Sequence, residues 1–352
     1  MKIVADSAIP YLEGVLEPYA EVCRLPGSAI RQEHVLDADA LLVRTRTRCD
    51  GKLLGSSRVR FVGTATIGTD HIDLAYCRRA GIATADIDPA IEECSARLRA
   101  DARKVIDHLE GGGSQQDDYV VRKIRRVNDG SREFNDLIRT QAARWLGEGK
   151  TVGLIGGDHS TPYGLIAALA DCNPGFGVLH VDAHCDLRDA YEGFEFSHAS
   201  IMHNVLRDFP QVSRLVQVGV RDYCDAEAER ARTDPRIALF DDRTLREAVF
   251  DGRSWLSQCA RIVDALPPLV YVSFDVDGLT IEHCPHTGTP VPGGLTFDEA
   301  ACLLECVVRS GRRIIGFDLV EVVPSDDDRT DVIVGARMLY KLCGLTLKSN
   351  AR

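Results

Sequence analysis

The sequence lacks several features that would place it in a common class of protein. None of its 12 cysteines forms a CxxC pair, no apolar run is long enough to cross a membrane, and nothing resembles a signal peptide. These absences predict reduced thiols in a cytoplasmic protein without a membrane partner. Basic residues are also few, at 42 Lys and Arg against 53 Asp and Glu, which gives a net charge of −11. That charge argues against a nucleic-acid partner and suits a small cationic one.

Three short motifs in the second half of the chain carry residues of the kinds that bind metals. GGDHS occupies residues 156–160, DAHCD residues 182–186 and SFDVD residues 273–277. Each motif follows or ends an apolar, β-rich run that is typical of a buried parallel strand. Open α/β sheets form their sites at the carboxyl ends of such strands, so the motifs are predicted to meet at one edge. The candidate ligands are His159, Asp182, His184, Asp186, Asp275 and Asp277.

Spacing within the motifs supports a shared site. Acidic and imidazole residues alternate in DAHCD and SFDVD, and alternate side chains of an extended segment lie on one face. By the same alternation Cys185 points to the other face, as a core thiol. A single DxD or DxH at a strand end is as often a capping carboxylate. Four adjacent acids without a basic partner repel one another, however, which favours a cation between them.

The ligand types narrow the choice of metal. Carboxylates and imidazoles without thiolates suit a hard divalent ion such as Mn²⁺ better than Zn²⁺ or copper. Six protein ligands are too many for one catalytic ion with an open position, and they suit two ions with bridging carboxylates. The expected cofactors are therefore two Mn²⁺ ions, a pair that generates a nucleophile at neutral pH.

Two further motifs complete the pattern of a known family. TGTPVPGG at 287–294 and GFDLVEVVP at 316–324 follow the first three in order. Together the five resemble the signatures of the arginase/agmatinase (ureohydrolase) family over residues 97–350. That resemblance implies hydrolysis of a guanidino compound, with attack on the guanidino carbon by a hydroxide that bridges the ions. It also implies a homo-oligomer, commonly a trimer or hexamer.

The resemblance gives each site residue a role. One ion would be held by His159, Asp182, Asp186 and Asp275, and the other by Asp182, His184, Asp275 and Asp277. Asp186 would also orient the hydroxide. His198, in FSHASIM at 196–202, matches the histidine that passes a proton to the leaving amine, and Glu321 matches the carboxylate that pairs with the guanidinium. A planar cation does call for a planar anion, and a leaving amine calls for a donor that titrates near neutrality.

The sequence departs from the family pattern at two places. Thr280 stands where a third aspartate is expected after SFDVD, and losing such a supporting group typically weakens a metal site about 10–100-fold. The family's first strand and its glycine-containing loop are replaced by an unrelated N-terminal segment. Either that segment's strands complete the sheet, or the site stays partly open.

Residues 1–90 resemble the start of 4-phosphoerythronate dehydrogenase, a D-2-hydroxyacid dehydrogenase, through GTATIGTDHID at 63–73. Arg44 matches a substrate-contacting arginine in that family or is a surface charge. In that family a dinucleotide-binding fingerprint, G-x-G-x-x-G, should follow. The only glycine-rich segment at the end of a predicted strand is GLIGGDH at 153–159, which lacks the spacing of that fingerprint and leads into the metal motif. No cofactor for hydride transfer is therefore expected.

The predicted fold is a three-layer α/β/α domain with a mainly parallel sheet over residues 91–350. An incomplete flavodoxin-like α/β fragment precedes it over residues 1–90, with a short helix around Tyr11–Ala20, and Pro89 marks the join. GGGS at 111–114 separates two helical segments, and Phe297–Ser310 is predicted as a helix. The second of the two segments carries a stripe predicted to face the core: Phe134, Leu137, Ile138, Ala142, Trp145 and Leu146.

Three functions are compatible with these features. The first is a Mn²⁺-dependent, agmatinase-like hydrolase that cleaves a guanidino or amidino C–N bond and releases urea. The second is a metal-binding relic of a gene fusion that lacks a complete substrate pocket. The third, on the same fold, is a formiminoglutamate-type hydrolase.

Overall fold

A computed structural model describes residues 1–9, 12, 16–17, 20–64, 70–84, 89–325 and 327–351, with the side chains of 89–92 left out. The chain divides into two compact units, Met1–Pro89 and Ala90–Arg352. Most residues of the helix expected around Tyr11–Ala20, and the middle of the 63–73 motif, lie outside the described residues. None of the described helices is long and apolar enough to cross a membrane.

The first unit is built on a parallel sheet of five described strands. They are β1 (Lys2–Asp6), β2 (Glu21–Leu25), β3 (Ala40–Val43), β4 (Phe61–Thr64) and β5 (Ala83–Thr84). Their order is β2-β1-β3-β4-β5, and every pair is parallel. Short helices follow the strands: α1 (Gln32–Val35), α2 (Gly51–Leu54) and α3 (Leu74–Arg79). This arrangement agrees with the predicted flavodoxin-like fragment.

The first unit has its own apolar core. Val4, Leu41 and Val62, from three neighbouring strands, are fully buried together with residues of the short helices. Arg44 follows β3, and its guanidinium donates a 3.1 Å hydrogen bond to the carbonyl of Ala8.

A second parallel sheet forms the centre of the larger unit. Its strands are β6 (Val152–Ile155), β7 (Phe176–Val181), β8 (Val212–Val218), β9 (Ile237–Phe240), β10 (Leu269–Asp275) and β11 (Arg313–Val320). Their order is β6-β11-β10-β7-β8-β9. Among the described residues, the N-terminal strands pair only with one another, so they do not complete this sheet. In the described part of the chain, β6 pairs with β11 alone and lies at the edge of the sheet.

Helices cover both faces of this sheet. The helices of this unit are α4 (Pro89–Glu110), α5 (Asp118–Gly147), α6 (Tyr163–Cys172), α7 (Ile201–Asp208), α8 (Asp225–Thr233), α9 (Asp242–Phe250), α10 (Trp255–Asp264), α11 (Phe297–Arg309) and α12 (Thr330–Asn350), of which α4 packs against α5. Alternate strand residues divide the core into two. Val178 and Tyr271 pack with α6 and α7, whereas Leu179 and Val272 pack with α10, α11 and α12. The predicted three-layer α/β/α fold is thus confirmed.

The predicted core stripe of α5 is confirmed in part, because Phe134 and Leu137 are half-buried outside the apolar cores. Ala142 is buried, and Ile138 and Leu146 pack against the core formed with α6. Trp145 is instead exposed, and the Lys150 ammonium lies 4.1 Å from the centre of its ring. Helical spacing alone could not separate Trp145 from the stripe, because the indole finds cationic side chains at the helix end instead of the core.

Candidate metal centre

The three acidic motifs lie at the carboxyl ends of β6, β7 and β10. The strands β7 and β10 are neighbours, and one strand, β11, separates β10 from β6. Since all four run parallel, their carboxyl ends meet at the same edge of the sheet. The six predicted ligands are brought together there, as the spacing of the motifs predicts.

His159 faces three carboxylates at once. Its Nδ1 lies 2.9 Å from Asp182 Oδ2, 3.1 Å from Asp186 Oδ2 and 3.2 Å from Asp275 Oδ2. The other ring nitrogen, Nε2, is 2.9 Å from the Ser273 hydroxyl. Despite these short distances, neither His159 Nδ1 nor Asp186 Oδ2 has a partner with hydrogen-bond geometry in the described part of the chain, although both atoms are buried. Buried polar atoms without partners are rare, so their convergence is itself a mark of an ion site.

A second group surrounds His184 and shares Asp182 with the first. His184 Nδ1 lies 3.0 Å from Asp277 Oδ2 and 3.3 Å from Asp182 Oδ1. The two oxygens of Asp182 therefore face different imidazoles. Ligand atoms of Asp182, His184 and Asp277 are close enough to hold one ion, and those of His159, Asp182 and Asp186 are close enough to hold another. A carboxylate between two such groups is the geometry of a bridging ligand.

Burial and mutual repulsion shift the pKa values of the carboxylates in this cluster. Burial and the neighbouring Asp277 hold the pKa of Asp275 well above its usual value, and burial with Asp182 raises the pKa of Asp186. Burial would lower the pKa of His184, but Asp182 and Asp277 outweigh it and raise the pKa to about 11. Metal ligands must be deprotonated, so ion binding would release protons from this cluster.

The backbone at the cluster is not simply extended, which corrects the alternation argument. The strand β7 ends at Val181, before Asp182, and Asp277 lies in a 3₁₀ turn, Val276–Gly278, after β10. Asp186 has φ of 55°. The side chains converge through turns that the carboxylates themselves hold: Asp275 accepts a hydrogen bond from the Asp277 amide at 2.8 Å.

Two predicted site residues have the left-handed backbone that usually requires glycine. Asp186 has φ of 55° and Glu321 has φ of 61°, and Glu192 is the one other such residue in the described chain apart from glycines. Such conformations cost of order 1–3 kcal/mol each and cluster at functional sites. The strain therefore supports a functional role for these two carboxylates.

The sequence analysis missed a buried histidine behind the cluster. His180, in β7, is fully buried, and its Nε2 lies 2.9 Å from Asp182 Oδ2. Gln217, in β8, places its amide nitrogen 3.0 Å from His180 Nδ1 and donates a second hydrogen bond to the Cys185 carbonyl. The amide donor fixes Nδ1 as the acceptor, so His180 donates to Asp182. The alternation of side chains in DAHCD, extended two residues before Asp182, would have identified His180.

Arg221 and Gly278 hold the loop that presents Asp277. The Arg221 guanidinium donates to the carbonyls of Asp277 at 2.7 Å and Leu279 at 3.1 Å. Gly278 lies against Asp182, where an added Cβ would be 2.7 Å from the Asp182 backbone nitrogen. Only glycine fits at that distance, so the loop after β10 can approach β7 closely.

Thr280 makes local contacts of its own in place of the expected aspartate. Its amide donates to the Leu295 carbonyl at 2.9 Å, and its hydroxyl lies 2.8 Å from His283 Nδ1. In this structure the loop is therefore tied down at position 280 by a threonine, in addition to the contacts of Arg221.

Within the described chain, Glu321 forms a hydrogen bond with a residue of the cluster, whereas His198 does not. Glu321 follows β11, and its Oε1 accepts a hydrogen bond from the His159 amide at 2.8 Å. Burial and Asp158 raise the pKa of Glu321 to about 8, and no basic side chain pairs with it in the described chain. His198 begins a 3₁₀ turn before α7 and stacks edge-on with Tyr191 at 5.6 Å, without bonding to any of the six candidate ligands among the described residues.

The residues present fit a pair of divalent ions. The cluster offers two overlapping groups of imidazole and carboxylate ligands with Asp182 in common. In the described part of the chain, two buried atoms of the first group, His159 Nδ1 and Asp186 Oδ2, lack a partner with hydrogen-bond geometry. Cys185 contributes nothing, because it is buried in the apolar core as the alternation predicted.

Comparison with known proteins identifies the class. Residues 73–344 match the Arginase family, and the chain belongs to that family. Residues 5–93 match the catalytic domain of D-isomer specific 2-hydroxyacid dehydrogenases. The chain is thus a member of the Arginase family with a dehydrogenase-like N-terminal segment, as the motifs predicted.

Individual relatives agree with both assignments. N(1)-aminopropylagmatine ureohydrolase of Thermus thermophilus is 37% identical over 215 residues, which are 60% of this chain and 68% of the relative. Proclavaminate amidino hydrolase of Streptomyces clavuligerus has a similar structure, with a TM-score of 0.54 and 25% identity over 63% of this chain and 72% of that one. Erythronate-4-phosphate dehydrogenase of Bacteroides fragilis is 57% identical over 83 residues, 23% of this chain, but those residues span only 24% of the dehydrogenase.

Proposed function

We propose that the protein is an agmatinase-like hydrolase that uses two Mn²⁺ ions to release urea from a linear guanidino compound. One observation carries the proposal. A carboxylate with strained backbone and no basic partner in the described chain, Glu321, lies directly beside a cluster built for two divalent ions. An unpaired carboxylate in such a place suits a cationic substrate, because burying it without a counter-charge is costly.

Manganese is the ion that the ligand set favours. Two imidazoles and four carboxylates, with the nearby thiol turned into the core, suit a harder ion than zinc or copper. When bound, the ion pair supplies a hydroxide nucleophile at neutral pH and positive charge beside the reacting carbon. The chain's own part is to position the ligands, which Ser273, His180 and Arg221 do through hydrogen bonds.

Glu321 binds and orients the substrate in this proposal. Its Oε1 is fixed by the His159 amide. Its other oxygen lies on the side of Gly288, where an added Cβ would be 3.8 Å away. A side chain at position 288 would touch that oxygen, and glycine leaves it accessible to a planar guanidinium, which can form charge-assisted hydrogen bonds with the carboxylate.

Asp186 and His198 have the proton-transfer roles in this proposal: Asp186 orients the attacking water and His198 protonates the leaving amine. Asp186 Oδ2 is a buried acceptor without a partner, so it can take a hydrogen bond from the attacking water. His198 lies on the segment between Asp186 and α7, and the Asp186 carbonyl accepts hydrogen bonds from the Met202 and His203 amides of that helix. This tie keeps the histidine-bearing segment near the cluster, where an imidazole can protonate the leaving amine.

Urea release tests the proposal. The Mn²⁺-loaded protein should release urea from agmatine or an N-substituted agmatine faster than from arginine. Formiminoglutamate, which cannot yield urea, is assayed for release of glutamate and formamide as a control for the alternative activity. If two Mn²⁺ ions are bound and no compound is turned over, the protein is a metal-binding relic of the fusion.

A further inference from the structure

Three cysteine thiols meet between two helices outside the carboxylate cluster. Cys259 lies on α10, and Cys302 and Cys306 lie one turn apart on α11. Their Sγ atoms are all within 4.8 Å of one another. We propose that this trio, the thiol site, binds one Zn²⁺ ion or a similar soft divalent ion, independently of the hydrolytic centre.

The helices present the sulfurs in a usable geometry. Residues four apart on a helix lie on the same face, so Cys302 and Cys306 both point towards Cys259. Zn–S bonds of about 2.3 Å in a tetrahedral site place thiolates about 3.8 Å apart. The sulfurs are within 4.8 Å already, so small side-chain rotations close the difference without moving either helix.

The ligand count and exposure favour zinc with one open position. In the described part of the chain, no carboxylate or imidazole joins the trio. Cys259 is fully buried, whereas Cys302 and Cys306 are half-buried. Solvent can therefore reach one side of the ion, and three protein ligands plus a water complete the four-coordinate shell that zinc prefers.

Charge favours a divalent ion over a monovalent one. Three thiolates and a divalent ion have a net charge of −1, whereas a monovalent copper ion would leave −2 in a mostly apolar site. Arg309 is one turn beyond Cys306. Burial and Cys302 raise the pKa of the Cys306 thiol, and Arg309 opposes that rise. Arg309 is itself paired with Glu305 at 2.6 Å, so the single negative charge of the zinc complex is screened mainly by solvent on its open side.

Binding is a proton exchange. Three thiols and one hydrated Zn²⁺ give a zinc tris-thiolate with one bound water, and three protons go to solvent. Burial raises the pKa of Cys259, so its thiol is protonated before the ion arrives. About three protons should therefore be released per ion at neutral pH.

The two metal sites should select different ions. The carboxylate cluster has oxygen and nitrogen ligands and favours Mn²⁺, whereas the thiol site has sulfur ligands and favours softer ions. Cadmium is a suitable probe, because Cd²⁺ is redox-inert and its thiolate complexes absorb in the ultraviolet by charge transfer.

The test is a Cd²⁺ titration of the reduced, Mn²⁺-loaded full-length protein. We expect thiolate-to-cadmium absorption that saturates at one ion per chain, with about three protons released by calorimetry in buffers of different ionisation enthalpy. Cys302→Ser should remove most of that absorption, and Cys343→Ser, an exposed cysteine on α12 outside the trio, should keep it. Equal titrations for wild type and Cys302→Ser would overturn the proposal.

A second measurement uses only the wild-type protein, so its result does not depend on whether a variant folds. The protein is alkylated with iodoacetamide with and without Cd²⁺, and the modified cysteines are identified by peptide mass spectrometry. Cd²⁺ should protect Cys302 and Cys306 while Cys343 and Cys172 continue to react. Alkylation of Cys302 and Cys306 that is unchanged by Cd²⁺ would exclude the thiol site.

Discussion

Replacing Glu321 with glutamine tests how the proposed substrate is recognised. Glutamine keeps the size of the side chain and an oxygen that can accept the 2.8 Å hydrogen bond from the His159 amide. The backbone strain at φ of 61° is also unchanged. A bound guanidinium would lower the pKa of Glu321 from about 8, so the main loss is the negative charge that the carboxylate then carries on its oxygen beside Gly288.

The size of the effect follows from that single loss. Hydrogen bonds to charged groups contribute about 1.5–3 kcal/mol, and neutral ones about 0.5–1.5 kcal/mol. The substitution should therefore remove about 1–2 kcal/mol of binding, which is about 5- to 30-fold in affinity. Bound manganese and thermal stability should stay the same, because Glu321 is not a proposed metal ligand.

The assay is calorimetric titration of the Mn²⁺-loaded protein with a guanidino compound and with its neutral urea analogue. The Gln variant should weaken binding of the guanidino compound only. Glu110→Gln is the matched control, since it makes the same change at an exposed carboxylate at the end of α4 that is screened by solvent, and it should change affinity by less than about twofold. Equal weakening for the charged and neutral compounds, or none for either, would refute the pairing of Glu321 with a guanidinium.

Four other predictions concern the metal centre, its support, proton transfer and the N-terminal unit. Asp182→Ala should lose both Mn²⁺ ions by elemental analysis, because Asp182 belongs to both ligand groups; retention of one ion would show that it does not bridge. His180→Phe should weaken Mn²⁺ binding about 10–100-fold in a competition titration, because Asp182 loses an orienting donor, and wild-type affinity in the variant would argue against that role. His198→Asn should lower kcat about 10²–10⁴-fold with its two metals retained; an effect confined to KM would count against proton transfer. Calorimetric titration with NAD should show no binding, because the chain lacks the dinucleotide fingerprint, and micromolar affinity would contradict this.

The sequence was most informative where residues that can bind metals occur at the carboxyl ends of predicted strands. His159, Asp182 and Asp275 could be assigned to one site because parallel strands end at the same edge and because carboxylates without basic partners need a cation. Those arguments need only the identity of the residues and the direction of the strands. The core position of Cys185 was predicted separately, from the alternation of side chains in DAHCD.

The loop conformations and long-range contacts that complete the site could not be predicted from the sequence. The positive φ of Asp186 and Glu321 results from loop closure, which no periodicity encodes. Arg221 looks like an ordinary surface arginine until the fold brings the carbonyls of Asp277 and Leu279 to its guanidinium. The thiol site likewise depends on two helices that pack together although their cysteines are far apart in the sequence.

Two sheets with separate apolar cores mean that one melting temperature would not describe this chain. The first core is formed within residues 1–89 and the cores beside the metal cluster within residues 90–352. A ligand stabilises only the unit that binds it, by about 2.7 kcal/mol at 100 times its dissociation constant. Heat-capacity scans should therefore contain a transition that moves with manganese concentration and another that does not. The moving transition reports the state of the metal centre without any knowledge of the substrate.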